Sequence, residues 1–272
     1  MCCKQSWGVI MDLRFTESGF EHLVLTEQDT NINLVISKRV EQEILLEYQG
    51  MDVKRNMNIH VEEGARCTLL MKNTGTSKNN MSQTVSIDKD GQLKVAFWEI
   101  ENGESVISLD SDLLASGASI NVKSACIAQA DKTFTLLCTH DSPYTESIME
   151  NYAIVRDQGH YAMEATGKIK KGAHESNSHQ TTRVLTLSDE HNSTVLPVLL
   201  IDENDVKASH ATTVGQPDEN QLYYLQSRGL SREQALGLLT LGYLMPISEL
   251  FKERKFADEM KNEIEKRVGL HA

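Results

Sequence analysis

The apolar and polar positions follow one repeating pattern from about residue 30 to residue 215. A turn containing Gly, Asn or Asp precedes about five to nine residues in which apolar side chains alternate with polar ones or run together. Three of the turn glycines, Gly64, Gly91 and Gly117, lie 27 and 26 residues apart. Further strand-like segments, such as MSQTVSI, fall between these turns. Each period of the sequence therefore contains two predicted strands.

Two all-β architectures give strands at this spacing, a parallel solenoid and an antiparallel sandwich. The near-constant period favours the solenoid, because stacked coils have similar lengths. The scarcity of Asn-Gly hairpin turns between neighbouring strands also favours it, since antiparallel neighbours are commonly joined that way. We therefore predict a mainly β fold with a parallel β-helix core over residues 31–215, preceded by an N-terminal segment over residues 1–30.

After Gly215 the pattern becomes helical, which predicts a C-terminal helical domain over residues 216–272. Asp218, with Gln221 three residues later, predicts a helix start, and Ser231 with Gln234 predicts a capping box. We expect helices over 219–227, from Ser231 to about residue 241, and over 248–267 after a proline. So small a unit cannot bury its apolar side chains alone, so we expect it to pack on the end of the solenoid, on a partner, or on both.

The composition excludes several classes of protein. A net charge of −12 disfavours nucleic acid as a partner. No segment approaches the roughly 18 apolar residues of a membrane span, and the N-terminus lacks a signal-peptide core, so we expect a cytoplasmic protein without membrane contact. The five cysteines show no CxxC spacing and predict no disulfide framework. Those in apolar runs, Cys67, Cys126 and Cys138, are typical of buried, inert thiols.

Histidines and tyrosines near the end of the solenoid are the candidates for chemistry and docking. Five of the nine histidines fall within 51 residues: His160, His174, His179, His191 and His210. Imidazole suits iron, zinc and copper, although solvent-facing solenoid positions also tolerate histidine. The next helix carries Tyr223, Tyr224 and Arg228 before Gly229, a set typical of interface anchors, although a tyrosine there could also pack in a core.

The segment SHATTVGQ at 209–216, followed by LYYLQSRG at 222–229, resembles the C-terminal signature of the SufB/SufD family of iron–sulfur cluster assembly proteins. The resemblance is specific over roughly residues 160 to 250. It includes Gln180, LTLS at 185–188 and PVLLI at 197–201. It implies a right-handed parallel β-helix that acts as a non-catalytic scaffold, pairs with a SufB-like paralogue or a second copy, and docks a SufC-type ABC ATPase through the region of Tyr223, Tyr224, Arg228 and Gly229.

The resemblance also assigns the candidate cofactor ligands. His210 matches the family's functional position, which is a histidine in SufD-like members, so it implies a metal ligand for iron or a nascent, transient iron–sulfur cluster at a subunit interface. His191 is the second cofactor-binding candidate, because SufB-like members have a cysteine in this segment and the present chain has none after Cys138. These features indicate a SufD-like chain. Nothing in the residues indicates a flavin site.

No GxxxxGK[ST], GxSxG or HExxH motif is present, so we expect no ATPase or hydrolase activity from this chain. Two alternatives remain at this stage. One is a carbohydrate-active β-helix enzyme, which requires a carboxylate or Ca²⁺ cluster in its groove. The other is a purely structural adaptor.

Overall fold

A computed structural model of the chain describes residues 2–7, 10–50, 52–188, 192–251 and 254–268. Its strands are β1 (Cys2–Trp7), β2 (Ile10–Phe15), β3 (Gly19–Leu25), β4 (Asn31–Ile36), β5 (Glu41–Tyr48), β6 (Val53–Val61), β7 (Arg66–Asn73), β8 (Asn79–Ile87), β9 (Gln92–Glu99), β10 (Ser105–Leu113), β11 (Ser119–Ala128), β12 (Lys132–His140), β13 (Glu146–Val155), β14 (His160–Ile169), β15 (Ser176–Thr186), β16 (Asn192–Ile201) and β17 (Val206–Gly215). The helices follow as α1 (Glu219–Ser227), α2 (Arg232–Leu244), a 3₁₀ helix (Met245–Leu250) and α3 (Arg254–Arg267).

The strands form two sheets that wind into a parallel β-solenoid of about seven turns. The nine-stranded sheet has the order β1-β2-β4-β6-β8-β10-β12-β14-β16, and the eight-stranded sheet has the order β17-β15-β13-β11-β9-β7-β5-β3. All neighbours in these sheets pair in parallel except β1 and β2, which are antiparallel. The prediction of a parallel β-helix is confirmed, and each period of the sequence corresponds to one coil.

The period has its structural origin at one corner of the coil. A residue in the left-handed region of φ recurs there once per coil: Arg39, Gly64, Asp90, Gly117, Tyr144 and Glu175. The backbone N–H of each donates to a carbonyl of the following corner, as in Gly64 to Lys89 O (2.9 Å) and Gly117 to Tyr144 O (3.1 Å). Glycine adopts this conformation without steric cost and occupies two of the six corners, Gly64 and Gly117, whereas Gly91 follows the corner residue Asp90.

The solenoid begins before residue 31, the predicted start of the core. Strand β2 pairs in parallel with β4, and β3 pairs in parallel with β5, so residues 10–25 form a coil of their own. The physical reason is that both strands bury alternate apolar residues, including Leu13, Phe15, Leu23 and Leu25, in the same interior as the later coils. The assignment of residues 1–30 to a separate segment was therefore wrong for this coil.

In-register stacking arranges the interior into columns, since parallel strands keep equivalent residues side by side. One column of the eight-stranded sheet consists of Ile44, Leu69, Val95, Val122 and Met149, and we call it the Ile44 column. All five side chains are buried. The interior is thus a stack of apolar layers. All members of one column face the same side of the sheet, so the column to which a residue belongs predicts whether its side chain faces inward.

A buried polar cluster, the Glu99 network, interrupts this apolar interior. The Glu99 carboxylate accepts hydrogen bonds from side chains of both sheets: Tyr48 Oη (2.5 Å), Asn73 Nδ2 (2.9 Å), Asn79 Nδ2 (3.3 Å) and Ser105 Oγ (2.6 Å). The Lys132 ammonium lies 3.6 Å from Glu99 Oε2 and donates to Ser105 Oγ at 3.0 Å. Because Glu99 and Lys132 are both fully buried, their charges can be compensated only within the protein.

The first two helices start at the predicted residues. Asp218 caps α1 by accepting from Asn220 N, and Ser231 with Gln234 forms the predicted capping box of α2. The third helix differs from the prediction of 248–267. A 3₁₀ helix with proline in its first turn occupies Met245–Leu250, Phe251 is extended, and α3 begins at Arg254.

The helical unit packs on the outer face of the eight-stranded sheet. We expected the end of the solenoid, a partner or both, and the end of the solenoid is not where these helices pack. The buried side chains of the helical unit are Leu241, Leu244, Ile247, Leu250, Phe256, Met260 and Ile264. They form a second core with outward side chains of the sheet, including Leu70, Ala96 and Trp98. Trp98 Nε1 donates to Glu263 Oε2 (2.9 Å) across this contact. The physical reason is that these strands carry apolar residues on both faces, and only the outer face is free to receive helices.

Candidate functional site

The last coil, formed by β16 and β17, leaves the end of the solenoid open. Both strands are terminal in their sheets, and each pairs with one neighbour among the described strands. An edge strand presents unpaired backbone N–H and C=O groups that can pair with another chain. The last coil can therefore pair with a second protein, as can β1 and β3 at the opposite ends of the two sheets.

His210 lies on the last coil and continues the Ile44 column. Met149 pairs with Gln180, and Gln180 pairs with His210, so both residues occupy the inward position of that column. The earlier members are covered by the next coil, but His210 is exposed because no described strand stacks on β17. The structure thus places an imidazole at the open mouth of the solenoid interior.

Gln180, directly beneath His210, is a site residue that the sequence analysis did not single out as a ligand or positioning group. It is 3% exposed, and its Nε2 donates to Val198 O at 2.9 Å. Its Oε1 is buried and has no hydrogen-bond partner in the described residues. The signal that could have found it is the spacing of about one coil between Gln180 and His210, which puts them in one column.

Apolar side chains surround this open end. Leu196, Leu200 and Ile201 of β16 are 52%, 49% and 39% exposed, and Val214 of β17 is 47% exposed. The register with β14 and β15 puts Ile201 and Val214 in inward columns, whereas Leu196 and Leu200 face outward. Exposed apolar side chains beside two free strand edges indicate a surface that another protein covers.

Of the other candidate histidines, those that the structure describes do not gather around His210. His191 lies outside the described residues. His179 pairs with Ser209 on the outer face of β15, and its Nδ1 lies 2.8 Å from Ser209 Oγ. His174 lies in a turn, where its ring contacts the Tyr144 ring edge-on at 5.3 Å. Within the described ranges, no group of three or more His, Cys, Asp and Glu residues is arranged to hold a metal ion.

Helix α1 carries the predicted docking residues on an exposed surface. Tyr223 and Tyr224 are 74% and 56% exposed, whereas Leu222 is the buried residue of the helix. The Arg228 guanidinium lies 5.1 Å from the centre of the Tyr224 ring, so the two side chains form a cation–π pair. Gly229 ends the helix with φ of +95°. Two exposed aromatic rings beside an arginine are typical of the anchors of a protein interface.

The cysteines in the strands are buried, as their apolar surroundings predicted. Cys67, Cys126 and Cys138 face the interior, and burial raises the pKa of each thiol to about 12. Thiols with such a pKa remain protonated at neutral pH and are poor metal ligands. They pack as small apolar side chains.

The family model for the SUF system FeS cluster assembly SufBD core domain matches residues 18–243. This match spans most of the solenoid and the first two helices. The chain belongs to the SufB/SufD family, as a SufD-like member. The resemblance found in the sequence is thereby confirmed, and the open last coil with His210 lies inside the matched region.

The relatives of this SufD-like chain are iron–sulfur cluster assembly proteins. It is 30% identical over 182 residues to the iron–sulfur cluster assembly protein SufD of Bacillus subtilis, a stretch covering 66% of this chain and 42% of the relative. It is 25% identical over 130 residues to SufD of Escherichia coli, covering 48% of this chain and 30% of that protein. A SufBD family protein of Mycobacterium bovis is 33% identical over 110 residues, 40% of this chain and 13% of that protein. The chain thus matches less than half the length of each.

The arrangement defines what the SufD-like chain can contribute chemically. An exposed imidazole supplies one nitrogen ligand, whereas iron in a cluster takes several ligands. A complete coordination sphere at His210 would thus need further ligand groups besides this imidazole. No helix in the described part of the chain combines the length and the apolar character needed to cross a membrane.

Proposed function

We propose that this chain is a non-catalytic scaffold subunit in SUF-type iron–sulfur cluster assembly. It pairs through its last coil with a SufB-like subunit or a second copy, and His210 supplies one ligand to iron or to a nascent cluster at that interface. The observation that carries the proposal is the exposure of an inward-facing histidine between two free strand edges. Membership of the SufB/SufD family supports the same role.

The chemistry of the cargo fits a ligand of this kind. A cluster under assembly must be held and later released, and an imidazole ligand alters the potential of a cluster relative to thiolate. The buried, protonated thiols of Cys67, Cys126 and Cys138 are unsuited to the task, so the thiolate ligands would come from the paired subunit. In this proposal the cluster is the product being carried, and not a resident cofactor.

The second surface of the proposed scaffold is α1. We assign Tyr223, Tyr224 and Arg228 to the docking of a SufC-like ABC-type ATPase, which would supply the nucleotide chemistry that this chain lacks. The support is their exposure on a helix that buries Leu222, together with the resemblance of the LYYLQSRG segment to the family signature.

The test is co-expression with a SufB-like subunit and the ABC-type ATPase, followed by anaerobic purification and measurement of iron and sulfide per complex. His210→Ala is expected to lower both several-fold while the complex still assembles. The matched control is His22→Ala, because His22 lies on β3, the opposite edge strand of the same sheet, and is also partly exposed.

Three outcomes would contradict parts of the proposal. Normal iron and sulfide in the His210→Ala complex would remove His210 as a ligand. A wild-type complex that assembles without iron or sulfide would indicate a purely structural adaptor. Failure of this chain to associate with a SufB-like subunit, with a second copy of itself and with the ATPase would refute the scaffold itself. The carbohydrate-active alternative gains no support, because the described residues contain no cluster of three or more acidic residues that could hold Ca²⁺.

A further inference from the structure

Gln180 has a buried oxygen that lacks a donor. Its amide orientation is fixed, because Val198 O can only accept and so must face the amide nitrogen Nε2. Oε1 therefore points elsewhere, and it is buried without a partner in the described residues. An unpaired buried acceptor destabilises the folded protein, so a hydrogen bond from a donor close to Oε1 would be strongly favoured.

His210 is placed to supply that donor. It is the next member of the Ile44 column after Gln180, and adjacent strands lie about 4.8 Å apart, so the two side chains stand side by side at the mouth. A neutral imidazole carries one N–H and one free nitrogen, and which nitrogen has the proton depends on the hydrogen bond that the ring makes. An exposed ring on an edge strand can rotate to make this bond.

Because Gly167 has no side chain, it leaves room for the Gln180 amide. A Cβ at Gly167 would come 2.3 Å from Ser178 Oγ and 3.1 Å from Gln180 Nε2. Any larger residue there would push against both polar side chains. The packing around the amide is therefore tight, and the direction of Oε1 is held by its surroundings.

We propose that Gln180 is the positioning residue for His210. Its Oε1 accepts one ring N–H and thereby directs the other ring nitrogen, with its lone pair, toward the ligand. Residues that orient metal-binding histidines in this way act through the second nitrogen of the ring. That the ligand is iron or a cluster rests on the proposed function, whereas the hydrogen bond itself is a property of this chain alone.

Two variants of Gln180 isolate the accepting oxygen. Gln180→Leu and Gln180→Glu both lose the bond from Nε2 to Val198 O, but only Gln180→Leu loses the acceptor. Leucine suits this column because its five members before Gln180 are Ile, Leu, Val, Val and Met. Gln180→Met is the substitute if the leucine variant fails to fold. Circular dichroism and thermal melting check that each variant keeps the fold.

The readout is the ring N–H of His210 in the full chain labelled with ¹⁵N-histidine, identified by its loss in His210→Ala. We expect a ring N–H protected from solvent exchange in the wild type and in Gln180→Glu, and rapid exchange in Gln180→Leu. Absence of a protected signal in the wild type, or its persistence in Gln180→Leu, overturns the proposal, since an ordered water or another group would then satisfy Oε1.

Iron content separates this inference from the proposed function. In the co-expressed complex, Gln180→Leu is expected to weaken iron retention by about 10–100-fold, the usual effect of removing such a partner, and Gln180→Glu is expected to retain it. If the N–H signal depends on Gln180 but iron is insensitive to His210→Ala, the positioning holds and the iron role fails. If iron depends on His210 but no protected N–H exists, the iron role holds and the positioning fails.

Discussion

Replacing Lys132 by methionine is expected to destabilise the solenoid strongly. Methionine is similar in length but removes the ammonium that lies 3.6 Å from Glu99 Oε2, and both side chains are fully buried. The Glu99 carboxyl group then lies in the protein interior without its partner cation. Removing one partner of a buried ion pair typically costs about 3–5 kcal/mol.

The hydrogen bonds of the Glu99 network limit this loss. The carboxylate still accepts from Tyr48, Asn73, Asn79 and Ser105, and hydrogen bonds to a charged acceptor contribute about 1.5–3 kcal/mol each. The variant should therefore fold, with a loss of about 3 kcal/mol, the lower end of the range for a broken buried ion pair. Since domains are stable by only about 5–15 kcal/mol, such a loss is readily measured.

A double-mutant cycle with Glu99→Gln tests the cause. Each single change leaves one buried charge alone, whereas the double variant leaves none, so its loss should be smaller than the summed losses by about 1–3 kcal/mol. Denaturant unfolding followed by circular dichroism gives the free energies. The control is Lys170→Met, which removes an exposed partner of Asp141 and should change stability little. Additive losses, or a Lys132 effect no larger than the Lys170 effect, would refute the reasoning.

Two further predictions concern pH and partner binding. Burial lowers the pKa of His140 from 6.5 to about 4, so the unfolded chain is protonated first as pH falls. Its contribution to stability is complete above pH 6.5 and is lost as pH decreases toward 4, by about 3 kcal/mol. The free energy of unfolding in urea, measured across this pH range, should depend less on pH for His140→Gln than for the wild type. An equal dependence on pH in both proteins would contradict this. Replacing Tyr223 and Tyr224 together by alanine should weaken ATPase binding at least about tenfold by titration calorimetry. The control Tyr144→Ala, at an exposed solenoid corner, should bind the ATPase as tightly as the wild type does. If the double variant also bound the ATPase as tightly as the wild type, α1 would not be part of the interface.

Much of the fold could be predicted because its signals are local. Gly64 and Gly117 occupy left-handed corners and Gly91 follows the corner at Asp90, so the repeat of the coil appears in the sequence as turn residues at a regular spacing. The caps of α1 and α2 depend on residues within one helical turn, and for that reason Asp218 and Ser231 could be predicted as caps from the sequence. The coil formed by β2 and β3 escaped prediction, since its strands are short and lie outside the regular run of turns.

The long-range contacts could not be predicted in the same way. Glu99 lies at the end of an apolar run, and only the fold reveals that Tyr48 and Lys132 converge on it from strands far apart in the chain. The candidate site shows both cases. His210 was found through a local motif, but its relation to Gln180 depends on the register between strands of two consecutive coils. A column assignment made from the corner residues would have connected them.

Three inward columns of the eight-stranded sheet become more polar toward the open end, and this change bears on how the last coil can remain uncovered before a partner joins. Early members of the Ile44 column are aliphatic, whereas its last two are Gln180 and His210. In neighbouring columns Ser147 Oγ donates to Ser178 Oγ (3.0 Å), and Asn151 Nδ2 donates to Thr182 Oγ1 (3.3 Å). An apolar interior open to water would invite uncontrolled strand pairing and aggregation. Hydroxyl, amide and imidazole groups tolerate both water and a docked partner, so the polar end suits a reversible interface.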